Sequence, residues 1–463
     1  MQQVLADQGY RGTDPAFIGK RAVVIGAGIA GLAAAGALSS YFEQVLVLER
    51  DGLSSATAPR PGASQGWHAH GLLVGGLMAL GELYPALGDD FLRAGAVPLR
   101  VNADLREEFP DRDPMPQRDF GISGYTMSRP LIERVLRRRA LQQNNISIRQ
   151  SSDVVAIAAD TANRRVTGVR CSTAGSNAHD MIAADLVVDA SGRGQLTGEL
   201  LQSIGLPRPR ETAIGIDLCY TTAILPRPDD APTDWSIVLT QPDAPRSSRR
   251  AVMIPIEGHR WMLTVAGRGT ERPPAEWHPL LDYVQGLSTQ TIYHAVHQLR
   301  PVGRLARFLL PESVRRHFEE LQAMPDGLVP IGDAICRFNP VYGQGMSVAA
   351  REAVLLHHLL GARASLTDPL CGLGKEFLAE ASPLIDTPWN MAALPDFAYP
   401  DTRGDRPEDL ERSLKFAGAL ARIAVRDEAV QRLLIEVWHL IRPHSVLAEP
   451  ELMQRVEEEM MAA

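Results

Sequence analysis

The earliest strong pattern is a short apolar run rich in β-branched residues, residues 22–25, followed by Gly26-Ala27-Gly28-Ile29-Ala30-Gly31 and an alanine-rich stretch. That order predicts a buried strand, a tight turn and a helix. A second apolar strand at 45–48 runs into Glu49 about 20 residues further on, the length of a βαβ unit. A helix is predicted between 128 and 143, starting near Pro130, with Leu131, Val135 and Leu136 facing inward. Residues 146–155, 165–171 and 185–189 read as three strands, the last running into Ala190-Ser191-Gly192-Arg193-Gly194. From about 212 to 310 the pattern changes. Strands at 213–224, 235–239, 250–256 and 260–266, the last two joined by a turn at Glu257-Gly258, predict an antiparallel sheet inserted in an α/β unit. The opening pattern returns at 328–331, which ends in Gly332-Asp333-Ala334. Asn339-Pro340-Val341-Tyr342-Gly343-Gln344-Gly345-Met346 follows, then a helix to about Leu360. Beyond 385 lies a proline-rich stretch (Pro388, Pro395, Pro400, Pro407). An amphipathic helix is then predicted over 410–441, with Leu434, Val437, Trp438 and Ile441 as its core-facing stripe.

Composition narrows the class. A chain of 463 residues has room for two or three domains, and 45% hydrophobic with 22% charged residues excludes disorder and fibres. The 47 basic residues against 55 acidic ones leave a net charge of −8 without a basic field, so nucleic acid is not expected as a partner. Cys171, Cys219, Cys336 and Cys371 match neither a metal-ligand spacing nor a disulfide framework, so no metal site and a reducing, cytoplasmic compartment are expected. Residues 1–20, with Asp7 and Asp14, lack the basic start and apolar stretch of a signal peptide, and no run has the roughly 18 apolar residues of a membrane span.

The candidate chemistry sits in the two glycine turns. Gly26 permits the sharp turn, Gly28 lets a pyrophosphate approach the backbone, and Gly31 lets helix and strand pack closely. The helix start favours an anion, and the Glu49 carboxylate can accept from a ribose diol. Gly343 and Gly345 open a second helix of the same kind, with Asp333 as a fixed acceptor at a strand end. Two anion-friendly helix starts predict one long ligand. Arg134, Arg137, Arg138 and Arg139 read as a solvated basic face. His68 and His70 read as satisfied structural groups, and no catalytic residue is identified.

Over roughly residues 20 to 360 these motifs resemble flavoprotein monooxygenases of the para-hydroxybenzoate hydroxylase type. Within that group, Gln65-Gly66-Trp67-His68-Ala69-His70-Gly71, the run from Phe338 to Met346, and the tail with Pro388-Trp389 and Gly404-Asp405-Arg406-Pro407 resemble actinobacterial polyether and polyketide epoxidases. The resemblance implies that Gly26, Gly28 and Gly31 hold an FAD pyrophosphate, with Glu49 on the adenosine ribose and Arg50 on the adenine side. It likewise implies Arg60 and Arg129 on the phosphates or ribityl chain, Asp333 on ribityl or pyrophosphate oxygens, and Gly343, Gly345 and Met346 at the isoalloxazine. Ser191-Gly192 stands where many aromatic hydroxylases have Asp-Gly, and there is no second GxGxxG. NAD(P)H as direct electron donor and supply through a partner reductase therefore both stay open.

The implied fold is a Rossmann-type, glutathione-reductase-like FAD-binding domain (20–195 and 321–385), an inserted antiparallel substrate sheet (196–320) and a C-terminal helical region (386–463). Ile214, Ile216, Leu218, Val252, Ile254 and Leu263 are candidates for the substrate wall, their facing left open by the unknown register. The implied activity belongs to secondary metabolism. One oxygen atom from O2 is inserted, by epoxidation or hydroxylation through a flavin C4a-hydroperoxide, into an apolar polyketide- or polyene-like molecule. The alternatives are a reductase of the geranylgeranyl-reductase type and a flavin-free carrier of lipidated partners like the Rab escort proteins. A halogenase would need a Trp-x-Trp-x-Ile-Pro signature that the chain lacks.

Overall fold

The computed structural model describes residues 17–53, 59–162, 164–173 and 179–462. Residues 1–16 of the amino-terminal stretch read above for a targeting signal lie outside the described residues. Among the described residues no helix is long and apolar enough to cross a membrane.

The strand–turn–helix grammar builds a five-stranded parallel sheet in the order Leu328–Pro330, Leu186–Asp189, Gly19–Ile25, Phe42–Leu48, Ile146–Arg149. Its central strand is buried on both faces, as a continuous apolar run requires. One face packs on the helices Ile29–Leu38, Arg129–Ala140 and Gly345–Arg363. The other packs on a three-stranded antiparallel sheet and the helix Gln195–Ser203. The strand expected over 146–155 is two strands. At Ser151, with φ +54°, the chain leaves the parallel sheet, and Ser152–Asp160 joins the antiparallel one.

A seven-stranded sheet forms the second layer, ordered Cys336–Arg337, Ala306–His317, Arg210–Pro226, Arg260–Arg268, Arg250–Ile256, Ile237–Thr240, Leu105–Glu108. It is antiparallel except for its last pair. Both edge strands come from outside 196–320, and Leu105–Glu108 is too short to leave a periodic signal. One face is backed by the helices Trp277–Gln285 and Thr291–Val296 through Trp261, Leu263, Val265 and Leu280. The other turns toward the parallel-sheet unit.

The C-terminal part departs from expectation twice. The proline-rich stretch is largely helical: Leu373–Phe397 carries Pro383, Pro388 and Pro395 inside one helix, and the boundary expected at 385/386 falls within it. Burial of Phe377, Ile385, Trp389 and Phe397 on one stripe offsets the lost amide bonds. The helix expected over 410–441 is two, Leu410–Arg426 and Glu428–Trp438. They break at Asp427, whose carboxylate accepts from the Ala429 and Val430 amides at 2.9 and 3.2 Å and so starts the second helix. Of the predicted stripe, Val437 is core and Leu434 flanks it, whereas Trp438 is 39% exposed and meets the Tyr342 ring edge-on at 6.2 Å. This region is tied to the helix Val74–Leu83 by His439, whose carbonyl accepts from the Gly75 amide (2.8 Å) and whose Nδ1 accepts from the Val74 amide (3.3 Å).

Candidate functional site

The parallel sheet sets the site, because its strand order lays the Gly332 turn beside the Gly26 turn. A Cβ on Gly332 would stand 2.9 Å from that of Ala30 in the first helix. Gly26 takes φ +103°, and a side chain on Gly31 would meet the Gly26 carbonyl at 1.9 Å, so helix and strand touch there as the motif requires. Neither the Ile29–Leu38 helix nor the Gly345–Arg363 helix has a side-chain cap, so the first amides of both remain donors toward the space between them.

From the Glu49 end a ladder of charged groups crosses this space. Glu49, buried at the end of its strand, accepts the Ala27 amide at 2.7 Å and pairs with Arg60 Nη1 at 2.7 Å. Arg60 Nε donates to Glu133 Oε2 at 3.1 Å, and the other oxygen of Glu133 accepts from Arg129 Nε at 3.0 Å. Arg129 Nη1 reaches His70 Nε2 at 3.4 Å. Since arginine only donates, Nε2 is the acceptor, and the His70 proton sits on Nδ1, which donates to the His68 carbonyl at 2.8 Å. Arg60 Nη2 is the nearest atom to a Cβ on Gly28, at 3.5 Å. Arg60 thus already sits where an anion would approach the turn.

The ladder continues into the seven-stranded sheet. His68 Nδ1 lies 2.7 Å from Thr222 Oγ1, which is 2.7 Å from Thr264 Oγ1, and the Ala69 amide donates to Thr264 at 2.9 Å. Burial pushes the pKa of His68 down to about 4 and that of His70 to about 3, the latter helped by the Arg129 charge. Both rings are neutral at neutral pH. The chain after His70 passes beneath the second turn, where the Gly71 carbonyl would be 3.8 Å from a Cβ on Gly343.

Asp333 lies across the space from Arg129. Its carboxylate stands 3.9 Å from a Cβ on Gly345, and its Cβ is 3.9 Å from one on Gly192. Burial pushes its pKa up, against the charges of Arg129, Arg337 and Arg316. Among the described residues nothing donates to it. In the residues preceding Gly192 and Gly345, Ser191 Oγ and Gln344 Oε1 are likewise buried without partners. Buried polar atoms left unpaired cost about 1–3 kcal/mol each, so this cluster fits a hydroxyl-rich ligand. Taken together, two uncapped helix starts, flanking arginines and polyol-type acceptors fit a dinucleotide such as FAD.

The predicted residues are therefore brought together, with Arg50 apart: it is exposed and packs on Gly62. Met346 is half-buried against the main core. The basic face on Arg129–Ala140 is corrected in part. Arg138 is exposed, but Arg137 lines a cavity of about 190 Å³ with Arg60, Arg129 and Glu133, and burial lowers its pKa. Sequence reasoning missed Glu133, although two inward arginines require a counter-charge and Glu133 follows Arg129 by one helical turn. Of the proposed wall, Val252 and Ile254 lie on the cleft face. Leu263 lies on the helix-backed face, and Ile214, Ile216 and Leu218 belong to the main core. Register decides this.

A family model described as FAD binding domain matches residues 20–365. Protein Rv3254 of Mycobacterium tuberculosis is 32% identical over 421 residues, covering 86% of this chain and 84% of that one. Among solved structures, the flavin-dependent brominase Bmp2 superposes with a TM-score of 0.67 at 13% identity, over 96% of this chain and all of that one. PqsL, a probable FAD-dependent monooxygenase from Pseudomonas aeruginosa, gives 0.58 at 17% identity, over 82% and 97%. These two likenesses speak for the fold alone.

Proposed function

From the premise that this chain belongs to the FAD binding domain family, we propose that it is an FAD-dependent monooxygenase. It inserts one oxygen atom from O2, by epoxidation or hydroxylation, into a polyketide- or polyene-like small molecule. The observation that carries this reading is the unpartnered, buried Asp333 carboxyl beside Gly192 and Gly345, where two uncapped helix starts meet.

When bound, FAD supplies the electron transfer and oxygen activation. The chain's residues bind, orient and keep water out. Gly26, Gly28 and Gly31 would hold the pyrophosphate, Glu49 the ribose, and Arg50 the adenine side. Arg60 and Arg129 would exchange Glu133 for phosphate oxygens. Asp333 would take ribityl hydroxyls, and the backbone from Gly343 through Gly345 to Met346 would face the ring, with the helix dipole favouring negative charge there. The wall carrying Val252 and Ile254 excludes water. No side-chain nucleophile or base is required, consistent with two neutral histidines. Electrons come from NAD(P)H, directly or through a reductase.

The test is anaerobic titration of the purified protein with NADPH and NADH, with and without a flavin reductase, followed by O2 and candidate polyenes. Oxygen uptake and a product heavier by one oxygen are expected. A saturated product without oxygen uptake would instead establish a reductase, and a colourless protein that binds no FAD would overturn both.

A further inference from the structure

The cleft face of the seven-stranded sheet has two chemically different ends. Along one stretch Ile237, Leu239, Ile224, Val252 and Ile254 share the face with Ala69, and all but Ile254 are partly open. One pleat further along, the same face turns polar. Arg250, two residues before Val252, sits opposite Ala266, which in turn sits opposite Tyr220. Arg250 Nη2 donates to Gln241 Oε1 at 2.7 Å, and Gln241 Nε2 donates to Glu107 Oε1 at 2.6 Å. The guanidinium carbon lies 5.6 Å from the centroid of Tyr342, the residue that precedes the Gly343 turn.

Arg250 is only partly satisfied: besides Gln241 it meets the Tyr342 hydroxyl. Its Nε is buried and bonded to nothing, and it forms no ion pair with any described residue. The acids in its neighbourhood are spoken for. The two oxygens of Asp396 accept from Asn339 Nδ2 at 3.0 and 3.1 Å and one of them also from the Tyr342 hydroxyl at 3.4 Å, Glu107 takes the Gln241 amide, and burial raises both carboxyls. Arg268, one strand away, shows what a structural arginine looks like here. Its Nε, Nη1 and Nη2 donate to the Ile216 carbonyl (2.8 Å), the Asp396 carbonyl (3.1 Å) and Thr402 Oγ1 (2.8 Å). A half-buried guanidinium with an unbonded Nε and no direct ion pair, its nearest carboxyls engaged elsewhere, stands at the end of an apolar wall and can take an anion from the molecule laid along it.

We infer that Arg250 anchors the acidic end of an elongated hydrocarbon substrate whose chain lies along Leu239, Val252 and Ile254. The ligand class is an amphipathic acid, a carboxylate or acidic enol on an unsaturated chain. The inference rests on the monooxygenase reading only for the fate of the bound molecule.

The probes are linoleate, its methyl ester and linoleyl alcohol, titrated anaerobically into the FAD-loaded protein and followed by the flavin difference spectrum. The acid is expected to bind at least roughly tenfold more tightly than either neutral analogue, because only it forms the charged pair. Arg250→Gln should bring the three within about twofold, with FAD content unchanged, and Arg250→Lys should restore part of the preference. Equal binding of acid and ester by the unaltered protein, no binding of any of the three, or a preference that survives Arg250→Gln overturns the proposal. Selective acid binding without oxygen uptake on reduction retains it and removes the monooxygenase reading. Oxygenation indifferent to Arg250 does the reverse.

Discussion

The two ends of the cleft are held in different ways. At the Gly26 turn the fixed groups are charged, with Glu49, Arg60, Glu133 and Arg129 alternating in sign and each buried or nearly so. At the Gly343 turn the contacts around one carboxyl are hydrogen bonds to neutral groups. The Asn339 side-chain carbonyl accepts the Val341 amide (3.1 Å) and the Tyr220 hydroxyl (3.3 Å), while its amide is held by Asp396. The first end can exchange partners for a ligand's charges, since its arginines are already desolvated and oriented. The second fixes a backbone shape and has little to exchange. A single long ligand would thus be gripped by charge at one end and by shape at the other.

The largest expected effect tests shape at the charged end. Gly31→Val drives a side chain into the Gly26 carbonyl and should cost on the order of 3 kcal/mol, read as a lower unfolding midpoint and loss of yellow colour. Comparable stability in that variant would mean the turn is looser than its geometry indicates.

Next comes pH at the neutral end. Burial raises the Asp396 pKa from the usual 3.8 to about 6, so the folded chain binds the proton more tightly than the unfolded one. The stability this group confers is full below about pH 3.8 and is lost as pH rises through about 6, roughly 2–3 kcal/mol in all. Asp396→Asn should remove that decline in urea unfolding between pH 4 and 6. His68 and His70 act with the opposite sign, destabilising as pH falls from 6.5 toward 4, so the difference between variant and parent is the quantity to measure.

Glu133→Gln leaves two arginines sharing a neutral group, with Arg60 still paired to Glu49 and Asp51. A loss of about 2 kcal/mol is expected, less than for a fully orphaned charge. Added salt should weaken FAD binding more in this variant than in the parent, measured by fluorescence titration. Gly343→Ala, at φ +69° with no neighbour closer than 3.8 Å, should cost only about 1–2 kcal/mol through strain. Smallest of all, Arg50→Ala should change stability by less than about 0.5 kcal/mol, as for an exposed residue, and any fall in FAD affinity would then report on the adenine side directly.

How much of this could be read from the chain follows from how local each signal is. The glycine turns, Glu49 and Asp333 were legible because strand, turn and helix are encoded within a few residues and the parallel order follows from the crossovers. The facing of Val252 against Leu263 was not, since a one-residue change in pairing inverts every side chain and only distant strands set it. Pro388 and Pro395 read as part of a proline-rich stretch and not as helix, because the local rule is strong. Their helix persists because Phe377, Trp389 and Phe397 are buried by elements far away in sequence. Arg250 was invisible, and Glu133 showed only its local partner Arg129, for a related reason. The second arginine of Glu133, Arg60, and the groups around Arg250 come from separate segments.

His439 gives the last helices a consequence for anyone shortening this protein. Its ring and carbonyl serve two amides at the start of Val74–Leu83, and the Leu440 carbonyl would lie 2.4 Å from a Cβ on Gly75. On the adjoining face that helix rests on Ser347, in the first turn after the Gly343 bend. A chain cut after residue 409 would uncover those amides one layer from the Gly343 turn. An expression trial of such a fragment should therefore be judged by retained cofactor, not by yield.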